Sequence, residues 1–234
     1  TLIQQTFGAA RSKAQASVQF VSPGSKFRIH YDTTGVHQVP PEDENLNSIP
    51  DYVEEVALAA DSSYFFEINR LGFPDPVPTN TEYDVYLVEM TVYGGEIYGF
   101  TDRTNGPVGC NINAAATCIY VENDFRGFPE NDDPDSDELG AMRVTVAHEL
   151  KHAIQYIQNN WAGNSDNWAE MDATLMEEVV YDQVNDYYNY IDGFANDLFS
   201  YPSVTFDEGW YEHITWALYF HERFDEQFWT RVWE

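Results

Sequence analysis

Apolar and polar positions alternate along Phe27-Arg28-Ile29-His30-Tyr31, a period of two that predicts a strand. Beyond the Pro40-Pro41 break the period lengthens. Val53, Val56, Ala57, Ala60, Tyr64, Phe65 and Ile68 recur three or four apart, which predicts a helix from Tyr52 to Leu71 closed by Gly72. Tyr83-Asp84-Val85-Tyr86-Leu87-Val88 and Cys118-Ile119-Tyr120-Val121 read as two more strands, joined by a connection rich in Gly, Thr and Asn. From Leu139 the pattern becomes helical. Met142, Val146, Leu150, Ala153, Ile154 and Ile157 mark the apolar flank of a helix, with N-cap oxygens at Asp135 and Asp137 before it and Gly163 after its expected end. Another helix is expected around Trp168 to Glu178.

Strands and one helix first, then helices, predict an α+β fold. Residues 1–25 are polar, rich in Ala, Ser and Gln, and lack an apolar period, so they read as an arm or the remnant of a pro-segment. Residues 26–160 read as a sheet-and-helix lobe that includes the long helix at the seam, and 161–234 as a helical lobe. All six Trp lie between Trp161 and Trp233, where they read as core or cleft wall. No apolar run approaches the roughly 20 residues of a membrane span. Thr1 in place of Met, and an end within a helical pattern, suggest a processed segment of a longer, exported chain.

Eleven Lys plus Arg against forty Asp plus Glu give a net charge of -29, which disfavours nucleic acid and anionic membranes as partners. Cations are the expected company. The two cysteines, Cys110 and Cys118, are an even pair in an apparently secreted, extracellular chain and are expected to form a disulfide.

The helix from Leu139 contains His148-Glu149-Leu150-Lys151-His152. Its two imidazoles are one turn apart on one face, so both can hold one zinc ion, with Glu149 beside them as a general base. A catalytic zinc needs a third protein ligand. Glu170 and Glu177, seven apart on the next helix, share a face, so one can bind metal while the other orients a ligand.

His148-Glu-x-x-His152 followed by Glu170-x-x-Ala173-x-x-x-Glu177 resembles the gluzincin superfamily of zinc metalloproteases. Phe27–Tyr31, Ile49–Glu54, Tyr83–Tyr86, Glu122–Phe125, Val144–Glu149, His152–Gln155 and Val180–Asp186 resemble more closely a family of secreted bacterial metalloproteases first noticed in myxobacteria. The likeness spans residues 26–234 and implies a zincin-like fold. It implies Glu170 as third zinc ligand, Glu149 as general base and Glu177 as the orienting carboxylate. It departs at Met171, where the family commonly has Gly, and at Thr174, where the thermolysin pattern has Asp. No Gly-x-Met-Glu-Asn segment grips a substrate amine, so a peptide or protein substrate cut internally is the expectation. Tyr211, His213 and His221 are the candidate oxyanion donors, and the resemblance favours Tyr211; packing roles are the alternative for all three.

Asp43, Asn45, Asn47, Asp51 and Glu54 stand at positions one, three, five, nine and twelve of a loop leading into a helix, the spacing of a calcium-binding EF-hand loop. Ser48 replaces the usual turn Gly, so calcium competes with an acidic turn that caps the helix. The cluster Asp132, Asp133, Asp135 and Asp137 reads as a solvated loop. The rival function is a non-catalytic, metal-stabilised acidic interaction module. Such a site is closed by four ligands and has no use for Glu149.

Overall fold

The computed structural model describes residues 18–94, 97–103, 110, 115–162, 166–191, 199–205 and 210–233. Five strands form one mixed sheet: β1 (Val18–Val21), β2 (Phe27–Tyr31), β3 (Tyr83–Val88), β4 (Gly99–Arg103) and β5 (Thr117–Glu122), in the order β1-β2-β3-β5-β4. The inner strands β2, β3 and β5 are parallel, and β1 and β4 flank them antiparallel. Six α-helices lie among the described residues: α1 (Asp51–Tyr64), α2 (Asp137–Asn159), α3 (Asp166–Tyr181), α4 (Tyr188–Ile191), α5 (Ile214–Arg223) and α6 (Phe228–Val232). The expected α+β class is therefore observed. None of these helices is long and apolar enough to cross a membrane.

The sheet is buried on both faces, which is why β3 and β5 are almost continuously apolar. Val85, Leu87, Ile119 and Val121 join the main core with α1 and α2. Tyr86, Val88, Cys118 and Tyr120 point the other way, into a second cluster with Met90, Tyr93, Phe100 and Cys110. Stacked rings carry that cluster, with Tyr86 and Tyr120 centroids 5.0 Å apart and Tyr120 and Phe100 4.7 Å apart. The expected Cys110–Cys118 disulfide closes within it.

Three expectations change. The segment 18–21, assigned to an arm, is strand β1: Val18 and Phe20 pack inward while Gln19 and Val21 face solvent. The helix predicted from Tyr52 to Leu71 is α-helical only to Tyr64 and continues as a π-helix over Phe65–Arg70 before Gly72 at φ +83°. That wider turn carries Glu67 into the interior. The N-cap of α2 is Ser136, whose hydroxyl accepts from Leu139 N at 3.2 Å. Asp137 instead accepts from Asn131 N, and Asp135 pairs with Arg143. The helix ends at Asn160 in the left-handed region, and Gly163 lies outside the described residues.

The acidic loop before α2 is not wholly solvated. Asp133 is buried, and both its oxygens accept from Arg143 Nη1 at 2.9 and 2.8 Å, while Nη2 meets Glu55 of α1 at 2.9 Å. Gly140 permits this closeness, because a Cβ there would lie 2.2 Å from Asn131 Oδ1 and 2.6 Å from Asp133 Cβ. So anchored, α2 lies across the core with Met142, Val146, Leu150 and Ile154 buried. Each such burial contributes about 1.5–3 kcal/mol.

Candidate metal centre

Helical repeat places His148 and His152 on the same side of α2, and α3 runs alongside with Glu170 and Glu177 facing them. The Nε2 atoms of the two imidazoles are 3.0 Å apart, and Glu170 Oε2 is 3.2 Å from each. At that separation the two ring nitrogens can share one proton or hold one metal ion between them. His148, His152 and Glu170 are the set of donors that could hold a metal ion among the described residues. Two imidazoles and one carboxylate suit zinc or a similar divalent ion. The side chains are only 9%, 14% and 13% exposed, which places the cluster just inside the surface.

Each imidazole is also held from behind. His148 Nδ1 hydrogen-bonds Glu177 Oε1 at 2.6 Å, and His152 Nδ1 meets Gln155 Oε1 at 2.8 Å. Bonds at Nδ1 leave the Nε2 atoms turned toward Glu170, the arrangement a ligand histidine needs. Burial disfavours charge on His148, yet Glu170 and Glu177 raise its pKa well above the ordinary imidazole value. Glu170 is pushed the other way. Burial acts to raise its pKa, but His152 and His148 outweigh burial and lower it. Glu177 is held up at about 7 by burial, opposed by His148.

Glu149 sits on the sheet side of the same helix, buried, with its pKa raised by burial and restrained by the two imidazoles and Thr101. Thr101 Oγ1, on β4, lies 2.8 Å from Glu149 Oε2. Gly99 allows the approach: a Cβ there would fall 2.7 Å from Tyr120 O, 2.8 Å from Thr145 Cγ2 and 3.3 Å from Glu149 Cγ. Tyr211, on a 3-10 turn at Tyr211–His213, stacks on His148 with centroids 5.7 Å apart. Burial, and after it the charge of Glu170, raise the Tyr211 pKa well above its ordinary value, so the hydroxyl keeps its proton.

The other two oxyanion candidates differ in their surroundings. His213 is fully buried, and His221 lines a cavity of about 220 Å³ with Arg70, Glu178 and Glu226. The loop from Asp43 to Glu54 is closed by its own hydrogen bonds. Asp43 accepts from Asn47 N and Ser48 N, and Asn47 Oδ1 from Ile49 N. Asp51 accepts from Glu44 N, while the carboxamides of Asn45 and Asn47 donate to Glu54 at 2.8 and 2.9 Å. Those bonds shape the acidic turn at the start of α1.

Sequence reasoning missed Thr101, because β4 carries one large apolar residue, Phe100, in a Gly-Phe-Thr-Asp-Arg run. It also missed what lies on another face of α2. Lys151 falls on the face shared by Ala147 and Ile154 and is fully buried, 3.0 Å from Asp172 of α3. A lysine within an apolar helical stripe was the available signal. Searches of protein-family models, curated protein sequences and solved structures each find no match to this chain.

Proposed function

We propose that this chain is a zinc-dependent endopeptidase, a reading carried by the convergence of His148, His152 and Glu170 beside Glu149. A zinc ion held by those three residues would supply Lewis acidity toward a peptide carbonyl and toward water. Glu149 is then the general base. Its raised pKa and its hydrogen bond to Thr101 suit a carboxylate that takes a proton from water and passes it to the leaving amine. Tyr211, still protonated, is the donor for the oxyanion. Glu177 accepts from His148 and keeps its ring oriented.

The disulfide and the acidic surface support an oxidising, extracellular setting for the enzyme.

The test is Glu149→Gln, which keeps size and leaves the imidazoles in place. Zinc at one per chain should persist by elemental analysis, while hydrolysis of a mixed peptide library should fall about a hundredfold or more. Unchanged hydrolysis in this variant removes Glu149 as the base. A zinc-loaded wild-type protein that cleaves nothing in the library favours the non-catalytic module instead.

A further inference from the structure

One oxygen of Asp172 accepts two hydrogen bonds and pairs with Lys151. That oxygen, Oδ2, lies 2.7 Å from Trp233 Nε1, 3.0 Å from Lys151 Nζ and 3.3 Å from Gln155 Nε2. Lys151 and Asp172 are both fully buried, with the ammonium 3.1 Å above the centroid of the Phe73 ring. Glu67, on the π-helical turn, is buried in electrostatic reach of both, and neither of its oxygens has a hydrogen-bond partner. Such a group of charges is costly to desolvate and is weak evidence for stability as such. Its reach toward the metal cluster gives it another use.

We infer that Gln155, held by the Asp172–Lys151 pair, is the positioning residue that presents His152 to the metal; the inference rests on the metal-binding reading of His148, His152 and Glu170. The argument is one of donors and acceptors. Gln155 Nε2 faces Ala169 O at 3.0 Å and Asp172 Oδ2, both acceptors, so the carboxamide nitrogen is fixed on that side. Its oxygen therefore faces His152 Nδ1 at 2.8 Å and can only accept from it. That demands a proton on Nδ1, which leaves the Nε2 lone pair for the metal.

The salt-bridged Asp172 is thus a carboxylate acting on His152 at one remove, through a neutral carboxamide. His148, by contrast, meets the carboxylate of Glu177 directly. Trp233, beyond α6, closes the relay by donating to Asp172 of α3.

The experiment measures zinc dissociation constants by chelator competition, and the visible spectrum of the cobalt-substituted protein, for wild type, Gln155→Leu and the double variant Lys151→Met with Asp172→Leu. The double variant removes both charges together and strands neither. Wild type should bind one zinc. Gln155→Leu should bind it about 10- to 100-fold more weakly with an altered cobalt spectrum, and the double variant should move the same way. Circular dichroism reports folding separately. A folded Gln155→Leu with wild-type zinc affinity and an unchanged cobalt spectrum overturns the positioning role and leaves the metal site intact. Wild type without stoichiometric zinc overturns the metal reading itself. Should Gln155→Leu fail to fold, nitrogen NMR of the unmutated, zinc-loaded protein decides: a protonated His152 Nδ1 coupled to Gln155 supports the relay, and a bare Nδ1 overturns it.

Discussion

Thr101 places its hydroxyl 2.8 Å from both the backbone carbonyl and the carboxylate Oε2 of Glu149, so an edge strand steers the residue that would act as base. Its single proton is shared between the two acceptors. The contact holds the carboxylate against the sheet and lowers a pKa that burial raises.

Thr101→Val keeps the shape and removes that donor. Hydrolysis should drop about tenfold, since a hydrogen bond to a charged group is worth about 1.5–3 kcal/mol. Loss of a bond that favours the ionised form lets the Glu149 pKa rise. The acid limb of the kcat/KM profile should therefore move to higher pH, with zinc content unchanged. A pH-rate series on both proteins measures the two effects together.

Tyr211→Phe separates the oxyanion role from packing. The ring stays stacked on His148, and only the hydroxyl is lost. A donor used only in the transition state should cost about a hundredfold in kcat with little change in KM. Equal losses in the Tyr211→Phe and His221→Gln variants would argue for a general structural effect, because His221 faces a different cavity.

The convergence of His148, His152 and Glu170 and the inner strands were legible because they obey short-range rules. One helical turn sets the His148–His152 spacing, two turns set Glu170–Glu177, and β3 begins and ends where its apolar run does. What stayed hidden depends on contacts distant in sequence. Strands β1 and β4 are marginal by composition and exist through pairing with β2 and β5. The buried Lys151 needs Asp172, twenty-one positions on, to make sense, and Asp133 needs Arg143 and Glu55 to leave water.

Stability of the chelator-stripped protein should fall as pH rises from about 5 to 8. Burial lifts Glu122 to about 7, with Glu89 adding to it, and lifts Glu178 to about 8, with Glu177 and Asp182 adding to it. In the unfolded chain both titrate near 4.5, so the folded state binds protons that the unfolded state has released. Each group's contribution is therefore complete below pH 4.5 and lost as pH passes through its folded pKa. After allowance for partial solvent contact, the loss is about 2 kcal/mol per group. Glu178→Gln, which mimics the protonated form, should flatten the upper part of this dependence in urea unfolding. An undiminished slope in that variant removes Glu178 from the account.

The last prediction sets two acids of the same loop against each other. Asp133 and Asp135 both pair with Arg143, yet the Asp133 side chain is fully buried and that of Asp135 is 58% exposed. Position in the dielectric, more than the presence of an ion pair, should decide the outcome. Asp135→Asn removes a contact that water readily replaces, and should change stability by less than about 1 kcal/mol. Arg143→Met leaves Asp133 buried with neither of its Nη1 donors, and frees Glu55 from the bond that ties α1 to α2. Breaking a buried pair from one side typically costs about 3–5 kcal/mol. The double variant Arg143→Met with Asp133→Leu should recover part of that loss, because no charge is then left uncompensated. Urea unfolding of the four proteins completes the comparison. Arg143→Met no more harmful than Asp135→Asn would mean that water reaches Asp133 and that the network is a surface feature.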